Sequence, residues 1–367
     1  MDKEPFALPM LPPEIDYRRL VRELGNARQR LGELNASLRT LENPVLLLAP
    51  LVTPEAVSSS RIEGSIATVQ GVFEFEASPG KPAENEQESQ DNIEVINYRK
   101  AILLAMERLK ERPIGINLLK EVHDTLLDSA RGARKDRGNL RRGPVYIGPL
   151  GRPIEEARYI PPPHTQLDVL LSNWEKYINS DDEADPLVQI GVAHYQFEAI
   201  QPFLDGNGRI GRLLIPLFLY QRKLLDYPLL YISRKLNEYR NVYLDSLNKV
   251  DTQRDWETWL RFFLLAVESQ SSATRETILK MMILYNELKR KVGAINAVYA
   301  IPLLDVVFAW PVVSSVFVRK KIRARSPQTV LNLLNRFVDL GILQEQPGRK
   351  RNRTYLFKPL IELLAEY

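Results

Sequence analysis

The sequence predicts an all-α body interrupted by one small β-hairpin and followed by a separate basic module of helices and strands. Three observations carry this. Apolar residues recur at three- and four-residue spacing through most of the chain. One stretch rich in glycine and proline, "NLRRGPVYIGPLGRPIEEARYIPPPH" (residues 139–164), breaks that pattern. Charge is uneven: the net is +4, yet residues 291–367 hold 12 Lys/Arg against 5 Asp/Glu, a surplus of +7 that leaves −3 elsewhere. The expected division is 1–100, 101–290 and 291–367.

In chain order, residues 16–41 place Leu20, Leu24, Ala27, Leu31, Leu34 and Leu38 on one helical stripe. A second helix begins near Pro54 and runs to Ile62. Residues 77–92, "ASPGKPAENEQESQDN", are polar and acidic and read as a flexible loop. "IEVINYRKAILLAMERLKER", which stops before Pro113, and "INLLKEVHDTLLDSA" are amphipathic helices. In the interrupting stretch, "PVYIG" and "ARYIPP" are short β-prone runs around a turn, a hairpin. "TQLDVLLSNWEKYINS" and "PLVQIGVAHYQFEAI" return to helix. "RLLIPLFLYQRKLL", "NEYRNVYLDSLNKV" and one long helix over residues 255–292 follow.

The last ~75 residues have another plan, on ordinary domain-size grounds. "IPLLDVVFAWPVVS" and "SVFVRKKIRA" read as two short helices. Ser326 and Pro327 start a third, since serine caps and proline is pre-set for a first turn. That helix stops at Gly341. One face carries Val330, Leu333, Leu334, Phe337 and Val338; the other carries Gln328, Thr329, Asn332, Asn335 and Arg336. "GILQEQPGRKRNRTYLF" then reads as strand, basic turn, strand. The whole is the pattern of a winged helix-turn-helix.

Composition excludes several classes. There is no cysteine, so neither disulfides nor thiolate metal sites form. His123, His164 and His194 lack metal-ligand spacing. No signal-peptide pattern opens the chain. No apolar run reaches the ~18 residues of a membrane span. The expected compartment is the cytoplasm, with no membrane attachment.

Chemistry concentrates in "QPFLDGNGRIGR", residues 201–212. Glycines permit the positive φ that turns successive N–H groups inward, and such a nest at a helix start cradles phosphate. Arg209 and Arg212, three apart, share a helical face and offer bidentate phosphate contacts. Asp205 has no evident cationic partner other than a bound Mg²⁺ bridging it to a diphosphate. The plainer alternative is a loop whose glycines cap a helix and whose charges are solvated.

The segment "FEAIQPFLDGNGRIGR" resembles the Fic motif, HPFxDGNGRxxR. The hairpin, with Val145, Tyr146 and Ile147, resembles the Fic target-docking flap. "SSSRIEGS" resembles the family's inhibitory motif, with Ser59, Glu63 and Gly64 at its defining places. The resemblance covers about residues 5–285, with the winged helix as an appendage. It implies AMP transfer from MgATP to a Ser, Thr or Tyr hydroxyl of a target protein that is unidentified, the chain itself included. Asp205 would hold Mg²⁺, and Gly206, Asn207 and Gly208 would form the anion nest. Arg209 would take the β-phosphate side and Arg212 the γ-phosphate. Phe203 would anchor the loop. Tyr239 and Tyr243 fall where the family walls its adenine pocket, with plain core packing as the even alternative. A buried Glu63 carboxylate facing the arginine pair would compete with the γ-phosphate; the alternative is a helix end with Gly64 as its stop.

The departure is Gln201, which stands where the family has histidine. Histidine takes the proton from the attacking hydroxyl; a glutamine amide cannot bind a proton at pH 7. The expected loss is the general-base share, ~10²–10⁴-fold. His194 lies seven residues earlier, about two turns or ~10 Å along a helix, too far for direct transfer. A weak enzyme, a nucleotide-binding protein without catalysis, and an introduced inactivating change all stay open. AMP removal, with Glu63 placing a water, is less favoured because it too misses the histidine. The basic clusters Arg319, Lys320, Lys321, Arg323, Arg325 and Arg349, Lys350, Arg351, Arg353 fit phosphate contacts around a DNA-binding winged helix. Dimerisation or target docking by the same module is the even alternative.

Overall fold

The computed structural model describes residues 5–41, 49–77, 85–129, 135–148, 156–346 and 353–367. It is predominantly helical with one small sheet, the fold class expected from the sequence. Two compact units form. One comprises residues 1–35 and 97–271; the other comprises 36–96 and 272–367. The packing therefore cuts the chain differently from the linear three-part division.

The first unit contains most of α1 (Val21–Arg39), the end of α4 (Glu86–Arg108), α5 (Ile116–Leu126), α6 (Leu167–Asn179) and α7 (Pro186–Ile200). It continues through α8 (Asn207–Gln221), α9 (Ser233–Glu238), α10 (Arg240–Gln253) and the start of α11 (Trp256–Gly293). Helix α7 packs between α6 and α8, and α5 also meets α8. Being covered on all sides, α7 is apolar almost all round: from Leu187 to Phe197 every residue is buried. Its start is built from local chemistry. The Asp185 carboxylate accepts from the Leu187 N–H at 2.7 Å, and Pro186 fills the first turn. Arg28 holds the same carboxylate through Nε and Nη2, at 2.9 and 2.8 Å. Trp174, Trp259, Tyr195, Phe197, Phe203, Phe218 and Phe263 are fully buried and form the aromatic core.

The second unit contains α2 (Val52–Ile62), α3 (Val69–Ala77), the end of α11 and the C-terminal module. That module runs α12 (Ala300–Ala309), β1 (Val312–Ser314), α13 (Ser315–Lys321), α14 (Pro327–Asp339), β2 (Gln344–Glu345), β3 (Thr354–Leu356) and α15 (Lys358–Glu366). The sheet order is β1–β3–β2, antiparallel throughout, with Val313 opposite Tyr355 and Glu345 opposite the same residue. Helix α3 lies against β1 and α15, and Gln346 Nε2 donates to Glu74 Oε1 at 2.5 Å.

Several expectations need correction. "PVVS" is strand rather than helix end, because two β-branched valines pair with β3. Helices α3 and α15, each nine residues long, are additions to the sequence reading; α15 starts with a proline in its first turn. Helix α4 starts at Glu86, so the second half of the polar stretch 77–92 is helical, and residues 78–84 lie outside the described residues. Of the hairpin, one antiparallel bridge is described, Ile147 with Tyr159. Residues 149–155, its turn, and Arg349, Lys350 and Arg351 lie outside the described residues. The start of α14 is as expected: Ser326 Oγ accepts from the Thr329 N–H and Gly341 takes positive φ after the helix end. No helix among the described residues is long and apolar enough to cross a membrane.

Candidate functional site

The 201–212 loop joins α7 to α8, and each joint is a left-handed residue. Gln201 caps α7 with φ 47 and ψ 63; Gly206 caps the start of α8 with φ 76. Glycine accepts this conformation at no steric cost, whereas glutamine is strained there. The first-turn N–H groups of α8 have no intrahelical partner, the arrangement that suits an anion. The Gly206 N–H itself is already taken, by Asp205 Oδ1 at 2.6 Å.

Three side chains hold the loop in shape. Asn207 closes it on itself: its Oδ1 accepts from the Phe203 N–H at 2.9 Å and its Nδ2 donates to the Phe203 carbonyl at 2.8 Å. His123 braces it from α5. Its Nδ1 accepts from the Gly138 N–H at 2.9 Å, so the proton sits on Nε2 and donates to the Asp205 carbonyl at 3.0 Å. Its ring stacks on Phe203 at 4.0 Å, and burial holds its pKa below the ordinary histidine value. Arg141 clamps the end of α7. Its guanidinium donates to the carbonyls of Gln201 (2.7 Å), Pro162 (2.6 Å), Gly143 (3.1 Å) and Ile200 (3.3 Å), and its own N–H donates to Pro202. Sequence reading found none of this for His123 or Arg141, since both lie far from the loop in the chain. For Asn207, replacement by alanine removes a donor and an acceptor from buried backbone groups. A stability loss of about 1–3 kcal/mol in urea unfolding is expected.

Asp205 corrects the sequence reading. It has cationic partners: Lys135 Nζ at 3.4 Å, which sequence reading missed, and Arg209 Nη2 at 3.8 Å. Arg209 and Arg212 are both buried, one turn apart on α8, and Gly208 is half-buried. Gly211 leaves room for the Glu198 side chain of α7: a Cβ there would meet Glu198 Oε1 at 2.3 Å and push the carboxylate aside. Gln201 turns its side chain back onto α7, with Nε2 donating to the Glu198 carbonyl at 2.8 Å.

His194 is a core histidine. Its Nδ1 pairs with the Gly211 carbonyl at 2.9 Å, its Nε2 with the Tyr243 hydroxyl at 3.1 Å, and its ring stacks near Trp259. Burial pushes its pKa down to about 4. The unfolded chain therefore binds this proton first as the pH falls. The contribution is whole above the unfolded value of 6.5 and is lost between there and about 4. On the order of 3 kcal/mol is expected to disappear across that window. Urea midpoints between pH 7 and pH 4.5 check this, and His194→Gln should flatten the slope.

Tyr243 thus sits in the core beside His194 and Trp259, while Tyr239 is exposed at the junction of α9 and α10. Tyr146 and Ile147 are exposed, and Val145 is half-buried. The Tyr159 hydroxyl, at the root of the flap, donates to the Ala199 carbonyl at 2.9 Å.

In the second unit, Ser59 is fully buried on α2 and Glu63 is its C-cap residue. Gly64 follows with φ 97, and the Ser65 N–H reaches the Ser60 carbonyl at 3.1 Å. That is a glycine helix stop. Glu63 is exposed rather than buried, as a carboxylate at a helix end commonly is.

Residues 21–107 match the family described as Fic/DOC family N-terminal, and residues 113–219 match the Fic/DOC family. A protein adenylyltransferase Fic of Culex quinquefasciatus is 30% identical over 210 residues, covering 55% of this chain and 37% of the relative. One of Drosophila grimshawi is 27% identical over 259 residues, covering 68% and 47%. The chain matches less than half the length of either. Among solved structures, a Fic family protein from Desulfovibrio desulfuricans G20 superposes with a TM-score of 0.61 at 21% identity, covering 95% of this chain and 98% of that one. A Fic domain containing signaling protein from Bacteroides thetaiotaomicron VPI-5482 gives 0.56 at 19% identity, covering 70% and 96%. These two likenesses concern the fold alone. With the two family matches lying end to end over more than half of its residues, the chain belongs to the Fic/DOC family.

Proposed function

We propose that this chain is a Fic-type protein adenylyltransferase whose transfer step is disabled or weakened at Gln201. The observation that carries the reading is the start of α8: a left-handed Gly206 cap, a helix N-terminus, and two buried arginines one turn apart. That arrangement suits a polyphosphate, because helix dipole and guanidinium forks act on the same anion. ATP is the proposed donor, and the acceptor is a Ser, Thr or Tyr hydroxyl of a target protein docked along Val145, Tyr146 and Ile147. The Asp205 carboxylate would hold Mg²⁺, since that ion takes oxygen ligands. When bound, Mg²⁺ would neutralise phosphate charge. Lys135 and Arg209, already beside Asp205, would flank the same oxygens. Glu63 is proposed as the brake, on its place in the stretch that resembles the inhibitory motif.

The test is AMP self-labelling with α-labelled ATP and Mg²⁺ on four proteins: the chain as given, Gln201→His, Glu63→Gly and both together. Labelling by the double variant is expected to be strongest. If none labels while ATP still binds, AMP transfer is wrong.

A second reading is a nucleotide-binding regulator that acts through a DNA-binding winged helix. It is favoured by the order helix, strand, helix, helix, strand, strand and by the β1–β3–β2 sheet.

A further inference from the structure

Resting on that winged-helix reading, we propose that the polar face of α14 enters the major groove of duplex DNA and selects adenine-containing sites. Arg319, Lys320, Arg323 and Arg325 hold the flanking phosphates.

Charge is the first argument. Between Asp305 and Asp339 the sequence has no Asp or Glu, yet it has Arg319, Lys320, Lys321, Arg323, Arg325 and Arg336. A solvated helix surface ordinarily mixes both signs. The cations at the end of α13 and in the turn after it are exposed; Lys321 among them lies over the Trp310 ring at 3.9 Å and is left out of the phosphate set. Arg353, on the strand side, pairs with Glu345 at 3.1 Å and is left out of the phosphate set.

The second argument is which side of α14 is presented. Val330, Leu333, Leu334 and Phe337 are buried, which fixes the helix about its axis. Gln328, Thr329, Asn332, Asn335 and Arg336 are exposed on the opposite side. Base edges are read from the N-terminal part of such a helix, here Gln328, Thr329 and Asn332. Glutamine and asparagine amides each offer a donor and an acceptor, the match for adenine N7 and N6. Gln328 Nε2 donates to Asn332 Oδ1 at 2.8 Å, so the two amides form one linked reading surface. The occupant is B-form DNA, since the major groove of A-form RNA is too narrow for side chains to read.

The experiment uses the full chain and fluorescent duplexes. A site is first selected from a randomised pool, and affinities are then read by anisotropy at 50 and 200 mM salt. The expected slope of log K against log salt is about −4, from four neutralised phosphates. Adenine should be enriched at two or more adjacent positions. Gln328→Ala and Asn332→Ala should each lose about 10–100-fold on the selected site while keeping affinity for unselected duplex. Arg323→Ala with Arg325→Ala should weaken every duplex alike. All these positions are exposed, and thermal melts confirm that the variants fold. If all duplexes bind equally and Gln328→Ala changes nothing, the readout is overturned while the winged-helix reading stands. If no duplex binds at low salt, both fall, and the face serves a protein partner.

Discussion

Replacing Gln201 with histidine is expected to raise AMP transfer by about 10²–10⁴-fold, most visibly beside Glu63→Gly. The gain is the general-base share of the reaction, because the imidazole takes up the hydroxyl proton that an amide cannot. The loop should receive the new side chain without rebuilding. Residue 201 is in the left-handed region, where histidine is among the better-tolerated side chains. Its geometry is set by other groups: Arg141 on its carbonyl, Asn207 across Phe203 and His123 on Asp205. The measurement is the initial rate of label incorporation, with ATP affinity read separately by calorimetry. An unchanged rate at unchanged ATP affinity would mean that the missing proton acceptor is not what limits transfer.

The second large effect is expected from Arg141→Met. Arg141 is 2% exposed, and its guanidinium is solvated by carbonyl dipoles rather than by water. Burial pulls its pKa down, but an arginine keeps its charge throughout the usable pH range. Methionine fills much of the volume and supplies no donor. The carbonyls of Gly143, Pro162, Ile200 and Gln201 would then lose their shared partner. A charge-assisted hydrogen bond contributes about 1.5–3 kcal/mol, and such losses are not additive, so about 3–5 kcal/mol is expected in urea unfolding. Hydrogen exchange should quicken at 143–147 and 158–162, the two arms of the flap, together with 200–203. If only the flap loosens, Arg141 is a local brace rather than the clamp joining flap and loop.

The sequence disclosed the chemistry that is contiguous and hid the chemistry that is assembled. The glycines, the acid and the arginines of the loop fall within twelve residues, so the turn and the helix start after it are legible in the sequence. The groups that shape that loop arrive from afar: His123 from α5, Lys135 and Arg141 from the stretch after it. Nothing local distinguishes His123 from a packed core histidine; its hydrogen bond to the Asp205 carbonyl and its stacking on Phe203 do. The long helix α11 was legible because its apolar spacing persists over many turns. Strand β1 was not, because three residues carry no period and its stability comes from pairing with β3, some forty residues on. Tyr239 and Tyr243 show the limit of spacing arguments. Four residues apart in sequence, one is exposed and the other is in the core, because Tyr239 is the cap residue between α9 and α10 while Tyr243 lies within α10.

The packing of α3 against β1 and α15 constrains how this chain can be cut or recombined. Val72 and Phe73 on α3 are 0% and 2% exposed within a unit built from residues 36–96 and 272–367. A shortened protein ending at 290 would strip that helix of its cover and send two large apolar side chains into water. The same holds for a gene fusion that exchanges the last ~75 residues for another module of ordinary domain size. Such a graft would need matching changes on α3, more than two hundred codons upstream. A chimera that swaps the tail together with the stretch 36–96 is the one that should express as a folded protein.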